Sequence, residues 1–535
     1  MPGFRTAGFI VTLTAVAALG GMRSAWSEEQ VDFAKCETPM ILEALHSGAR
    51  KPAVRPDSST YDASAVSHLG HFRVHYDTSG WNAPDLTDED ENGVPDYIDS
   101  TCVYLEFAYD IQVNGLGYEP PLSDNGAGGG DEVDCYVRNF GSGGYGFTEP
   151  ETYVNNSATS FMTIDNDYAE SQYASKGYAG LRVTTAHEFF HVIHFSYIVD
   201  FGLSWWMEQT AVWMEEYVWD DVNDYLAYLG YFFNDSTSQK TALDNNYGTF
   251  MYAAAIWPKY LTKKYGAGII RQSWEAYSTA GVRNVSVLDG IIPGGIAGSY
   301  NEFAVWNYFT AYRANTVDFH DDSDLFGYTV LLERAADKTP AAASFSCNHL
   351  TSRYIELLFV GEYDEDYALH VEITPEGSGD FASSVVLYNT PYDYVVHTFS
   401  PGEGIYRLGG TWQKAVIVTS CTNLSGSGYS FTYDANIEHA SDIDDGTVPV
   451  FSVAGAYPNP FNPVTTIAFT MNEGGRAAVT AYNASGQKVQ DLYDGYLAPG
   501  EKRVLWKPDG LAGGVYFVTV ATPGGTKTIK TLFLK

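Results

Sequence analysis

The sequence predicts a multidomain chain: a mixed α+β region, then a β-sandwich, then a small immunoglobulin-like β-sandwich. Three observations carry this. At 535 residues the chain is too long for one hydrophobic core. Near residue 341 the pattern changes from apolar and aromatic segments of helical length to short alternating runs. A polar stretch, "EHASDIDDGTVP", marks a linker over 441–452, after which short strands resume.

The N-terminus, residues 1–27, has the form of a secretory signal peptide. Arg5 precedes an apolar run from Ala7 to Met22, and small residues at Ala25 and Ser27 flank Trp26, which places a cut after Ser27. The run of about 16 residues is shorter than the roughly 20 needed to span a bilayer, so no transmembrane anchor is expected in the mature protein. Residues 28–65 are polar and irregular, with "ARKPAVRPDSS" as extended linker, and suit a leader or propeptide-like segment. Residues 66–340 form the α+β domain, opening on the alternating strand "HFRVHY". Residues 341–440 carry "RYIELLFV", "YALHVEI", "SSVVLYN", "KAVIVTS" and "YSFTYDA", the spacing of a β-sandwich. Residues 453–535 pack short strands closely enough for a second, immunoglobulin-like sandwich.

Thirty Lys and Arg against 66 Asp and Glu give a formal charge of −36. Such a surface repels phosphate backbones and anionic lipid, which argues against nucleic-acid or membrane partners. There are five cysteines: Cys36, Cys102, Cys135, Cys347 and Cys421. Cys347 and Cys421 fall in one domain and could pair; an odd count leaves one of the other three unpaired in a monomer.

The chemistry is concentrated in "TTAHEFFHVIHFSY", residues 184–197. On a helix His187 and His191 share a face at i, i+4, so their imidazoles converge on one ion, while Glu188 lies about 100° round, within reach of a metal-activated water. The flanking Phe189, Phe190, Val192, Ile193 and Phe195 make the segment apolar all round, so three histidines there cannot simply be solvated. A third ligand is needed. The HExxHxxGxxH pattern fails, since His194 and Tyr197 stand at its Gly and His positions. The helix "WWMEQTAVWMEEYVW" instead offers Glu208, Ala211 and Glu215 on one face, where buried carboxylates would require a cation.

HEFFH followed by "EQTAVWMEE" resembles the gluzincin metallopeptidases. The resemblance implies a zincin-like fold, zinc held by His187, His191 and Glu208 with water in the fourth position, Glu188 as general base, and Glu215 at the later acidic position or, as an alternative, as the third ligand. Gln209 stands where that family's motif has Gly. In "NNYGTFMYAAAIWPKYLTKKYG", Tyr252 matches the family's oxyanion-donating Tyr, with Tyr247 as its rival. His194 is assigned to support the ligands from behind, and Cys36 in "KCETP" could sit on the zinc before activation.

"DEDENGVPDYID" places Asp88, Asp90, Asn92, Asp96 and Asp99 at positions 1, 3, 5, 9 and 12 of an EF-hand-like loop, with Gly93 at 6 and the Val94 carbonyl at 7, which suits Ca2+. Asp124, Asp131 and Asp134 in a second Gly-rich loop could hold another ion. With "GGYGFT" and HEFFH, these loops are similar to those of a family of secreted bacterial metalloproteases. The C-terminal "YPNPFNP", "YNASGQKV", "GVYFV" and Lys535 resemble the C-terminal sorting domain of proteins exported by the type IX secretion system, implying that its machinery is a partner. The expectation is therefore a secreted or cell-surface zinc endopeptidase acting on protein or peptide. The alternative is a non-catalytic surface or adhesion protein whose zinc is structural.

Overall fold

The computed structural model describes residues 35–51, 55–141, 144–233, 241–331, 333–336, 341–361, 363, 366–408, 412–439, 451–457, 459–471, 474–508, 510–523 and 525–534. The signal peptide, the start of the leader and most of the 441–452 linker lie outside these residues. The chain is multidomain, with a mixed α/β N-terminal region followed by several antiparallel sheets.

The leader is more ordered than its polarity suggests. Thr38–His46 is a helix, α1, with Pro39 in its first turn. Its Ile41 packs with Tyr136, Phe147 and Phe161, so two or three apolar side chains in a polar stretch are enough to dock it. Strand β1 (Ala63–Val66) then begins before residue 66 and pairs with β2 (Phe72–Tyr76), the alternating strand read from the sequence. Helix α2 (Asp96–Tyr109) leads to β3 (Val133–Arg138), β4 (Gly146–Val154) and β5 (Ser157–Asp165). The sheet order is β1-β2-β3-β5-β4, parallel across β2-β3-β5 and antiparallel at both ends, which leaves β4 as an edge strand.

Helix α3 (Tyr178–Tyr197) is buried continuously from Thr184 to Phe195. Its lack of an apolar stripe follows from burial on every side. Helix α4 (Ser204–Val218) runs unbroken through Gln209, whose side-chain amide donates to Leu243 O at 2.8 Å. Helices α5 (Gly230–Phe233), α6 (Phe250–Ala253), α7 (Ile256–Tyr265), α8 (Gly268–Thr279), α9 (Ser286–Ile291) and α10 (Gly295–Tyr308) complete this region.

The middle sandwich has one sheet of β11 (Asp393–Phe399), β10 (Phe381–Thr390), β13 (Lys414–Cys421), β8 (Thr351–Leu358) and β6 (Glu333–Ala336). The other contains β12 (Gly402–Arg407), β9 (Tyr367–Glu376), β14 (Tyr429–His439) and β7 (Ala341–Cys347). Strand β6 thus joins the sandwich from before residue 341. The C-terminal sandwich pairs β15 (Phe451–Tyr457), β16 (Thr465–Met471) and β19 (Gly500–Trp506) in one sheet. Strands β18 (Lys488–Leu497), β17 (Gly475–Asn483), β20 (Gly514–Thr522) and β21 (Gly525–Phe533) form its other sheet. The pairing expected of Cys347 and Cys421 is absent: all five cysteines are buried free thiols, and these two lie on strands of opposite sheets. Among the described residues no helix is long and apolar enough to cross a membrane.

Candidate metal centre

Helices α3 and α4 bring His187, His191 and Glu208 together, and the leader adds Cys36; their donor atoms all lie within 4.8 Å of one another. His187 Nε2 and His191 Nε2 are 3.1 Å apart. The Glu208 oxygens stand 3.3 Å from the first and 3.1 Å from the second. All four residues are buried, and neither Glu208 oxygen accepts a hydrogen bond of ordinary geometry.

The outer hydrogen bonds fix which ring nitrogens carry protons. His187 Nδ1 faces Glu215 Oε1 at 2.6 Å and, opposite a carboxylate, must be the donor. His191 Nδ1 meets His194 Nδ1 at 3.2 Å, and His194 Nε2 meets Thr210 Oγ1 at 3.2 Å. Thr210 spends its own proton on Trp206 O at 2.7 Å, so its oxygen accepts from His194 Nε2–H. His194 Nδ1 then accepts from His191 Nδ1–H. Burial, followed by the neighbouring His191 and His187, pushes the His194 pKa well down, in keeping with a neutral relay. With both imidazoles neutral, the inner Nε2 atoms present lone pairs beside two carboxylate oxygens, an arrangement of acceptors that fits a divalent cation.

Without a cation, the cluster must hold protons instead. Burial alone would lower the His187 pKa, but the facing carboxylates of Glu208 and Glu215 raise it to about 10. Burial would raise Glu208, but His191 and His187 bring it down to about 2. Zinc fits this donor set of two imidazoles, a carboxylate and a thiol; the residues that would hold it are His187, His191, Glu208 and Cys36.

Glu188 Oε2 accepts from Thr148 Oγ1 at 2.9 Å, and its pKa is raised, chiefly by burial. This places the carboxylate against β4, where Gly146 is needed: a Cβ there would meet Thr163 O at 2.8 Å and Glu188 Cγ at 3.0 Å. Tyr252 is buried at the same site, while Tyr247 is 59% exposed and packs edge-on to Phe201, so the geometry separates the two tyrosines. Likewise Glu208 faces the inner nitrogens and Glu215 the outer one.

The structure brings Asp88, Asp90 and Asp96 together in the acidic loop, but not Asp99, whose Oδ2 is taken by the Asn92 amide at 2.8 Å. Asn92 thus faces Asp99 and Asp90 with donors, and its Oδ1 accepts from Val94 N at 2.7 Å. In the second loop Asp124 and Asp134 are taken by Arg55 from the leader, which also pairs with Glu151 of β4. Sequence reasoning missed Lys35, Asp224, Thr148 and Thr210; the first, third and fourth lie within the quoted stretches "KCETP", "GGYGFT" and "EQTAVWMEE", but nothing local marks their roles. Lys35 is buried between Glu215 at 2.7 Å and Asp224, with Tyr145 and Tyr228 rings 4.9 and 5.1 Å away.

Residues 455–535 match the family of secretion system C-terminal sorting domains. The protein therefore carries a type IX sorting domain, which marks it for secretion or the cell surface and makes the secretion machinery a partner. No curated protein matches the chain. Among solved structures, the Spr0440 glycoside hydrolase domain, Endo-D, of Streptococcus pneumoniae R6 is similar at 13% identity over 36% of this chain and 33% of that one, with a TM-score of 0.14. A GH2 beta-galacturonidase of Eisenbergiella tayi matches at 11% identity over 37% and 36%, TM-score 0.13. Beta-glucuronidase 3 of Bacteroides uniformis matches at 11% identity over 36% and 27%, TM-score 0.12. The chain spans about a third of the length of the first of these, and at such scores the likenesses carry no argument.

Proposed function

We propose that the protein is a secreted zinc-dependent metallopeptidase of zincin-like fold that hydrolyses peptide bonds of extracellular proteins. The observation that carries this reading is the convergence of the His187 and His191 Nε2 atoms, 3.1 Å apart, on the buried Glu208 carboxylate at 3.3 and 3.1 Å. When bound, zinc supplies Lewis acidity: it polarises a carbonyl and acidifies water to a pKa of about 7.

The chain's own residues divide the remaining work. Glu188, held by Thr148, takes the proton from the attacking water and returns it to the leaving amine. Its raised pKa suits both halves of that transfer. Tyr252 donates its phenol proton to the oxyanion once the Cys36 backbone is no longer its partner. Glu215 and the His194–Thr210 relay keep both imidazoles in the required tautomer. The calcium assignment at Asp88, Asp90 and Asp96 belongs to this reading as a structural ion.

A second reading has an observation in its favour. With Cys36 included the donors number four, and a closed four-ligand site is what structural zinc requires. A non-catalytic surface or adhesion protein would therefore keep zinc and have no use for Glu188. Comparing wild type with Glu188→Gln decides between the two. For a peptidase, the variant retains zinc and loses about 100-fold or more in hydrolysis of an unfolded protein. Equal rates in the two proteins would remove Glu188 from the chemistry.

A further inference from the structure

Strand β4 is the sheet edge beside the metal centre, and its free side is occupied. Tyr145 N donates to Lys35 O at 2.7 Å and Glu37 N donates to Gly146 O at 3.1 Å, in a bridge parallel to β4. Thr148 N donates to Thr38 Oγ1 at 2.9 Å, and Thr38 Oγ1 donates to Thr148 O at 3.1 Å. An extended peptide hydrogen-bonded along an edge strand is also how a cleft presents a substrate backbone. At the centre of this segment, Cys36 Sγ joins the two histidines and Glu208. The Tyr252 hydroxyl accepts from Cys36 N at 3.2 Å and donates to Cys36 O at 3.1 Å, so the proposed oxyanion donor is engaged too.

Lys35 adds an independent observation. Its ammonium is 1% exposed and bridges Glu215 and Asp224, both fully buried, beneath two tyrosine rings. Withdrawing it would leave two carboxylates without the cation they share, an expensive state that another cation relieves. Asp224 is built into this position by Ser175 N and the Tyr145 hydroxyl, each at 3.0 Å.

We propose that residues 35–38 are a tethered pseudo-substrate: Cys36 Sγ fills the fourth ligand position, Lys35 fills an acidic subsite beside it, and once vacated that subsite receives a lysine-type cation of the substrate. The proposal rests on the metallopeptidase reading. Opening is a ligand exchange without redox change: the thiolate leaves and is protonated from solvent, and water takes its position. A cleft of about 220 Å³ already opens at this point, walled by Pro39, Met40 and Glu43 of the leader on one side and Tyr247, Met251 and Tyr252 on the other.

The test uses the full chain loaded with cobalt(II), wild type beside Cys36→Ser and Cys36→Ala, scored by near-ultraviolet thiolate-to-cobalt absorption and by cleavage of paired peptides differing only in Lys or Met. The expected result is a charge-transfer band in wild type that both variants lose, a rise of about tenfold or more in their cleavage rate, and a preference for Lys of about tenfold that Asp224→Asn, added to the Cys36→Ser chain, abolishes. Should the variants fold poorly, a mercurial thiol reagent applied to wild type should erase the band and release activity. Cobalt bound with no band overturns the plug. Equal cleavage of Lys and Met peptides overturns the subsite. A band lost in both variants with no cleavage by any form leaves thiolate ligation standing and fails the peptidase reading instead.

Discussion

The buried centre on α3 and α4 and the acidic loop at 88–96 both gather metal-binding side chains, yet they handle charge in opposite ways. In the loop, Asp88 accepts from Asn92 N at 3.1 Å and Gly93 N at 2.9 Å, Asp90 accepts from Asn92 N at 3.2 Å, and Asp96 accepts from Glu89 N at 3.1 Å. Asp90 is also exposed. These carboxylates are met by backbone donors, so an ion there would add to an arrangement that already stands. At the buried centre the Glu208 carboxylate faces no backbone donor, only the inner nitrogens of His187 and His191. Burial therefore makes a balancing positive charge, from protons or from a cation, more important at the centre than in the loop.

The largest effect should come from breaking the buried set. Glu208→Gln should abolish stoichiometric zinc and cost on the order of 3 kcal/mol in stability, because it leaves His187 and His191 facing a neutral amide. Zinc analysis and denaturant unfolding would measure both. A variant that keeps one zinc per chain would show that Glu208 is not a ligand.

Next is Glu216, beside Glu215 on α4. Burial raises its pKa to about 8, with Glu215 and Asp322 adding to the shift and Lys259 opposing it. The folded pKa lies above the unfolded value of 4.5, so the native state keeps a proton that the unfolded chain releases. Stability is thus full below about 4.5 and falls as pH rises toward 8. Glu216→Gln should flatten that slope and gain about 2–4 kcal/mol at pH 8. An unchanged pH profile of unfolding would mean that Lys259 keeps the carboxylate ionised throughout.

Zinc uptake should be coupled to protons in the opposite direction. His187 is protonated below about 10 when no cation is present, and a ligand must give that proton up. The Cys36 thiol, whose pKa burial pushes well up, must give up a second proton, so affinity should rise by roughly a hundredfold per pH unit through neutrality, measurable by chelator competition at pH 6, 7 and 8. A flat profile would show that the site is already deprotonated when empty.

How far these regions were legible follows from how local their signals are. His187, Glu188 and His191 sit within one turn of helix, and Glu208 and Glu215 lie two turns apart on the next, so periodicity alone placed both helices and the face of each ligand. The Lys35–Glu215 contact spans 180 residues and has no pattern to announce it. Thr210 was invisible for the same reason: its part depends on a proton relay through His194. The leader reads as irregular because the partners of Lys35 and Arg55 are carboxylates far away in the chain. For the same reason Asp124 and Asp134 looked like ligands for an ion, when Arg55 supplies their positive charge.

The smallest effect should come from the loop, and it sharpens the contrast. Asp90→Asn removes one charge from an exposed, self-satisfied turn, so without calcium it should change stability by no more than about 0.5 kcal/mol. If calcium binds, wild type should gain thermal stability on titration and the variant should gain less, since ligand binding stabilises only the state that binds. The relevant range is about 10⁻⁴–10⁻³ M, as befits an exposed site with few fixed ligands. If millimolar calcium shifts neither protein, the three aspartates are a solvated turn whose hydrogen bonds start α2. The proposed metal chemistry would then rest on the buried centre alone.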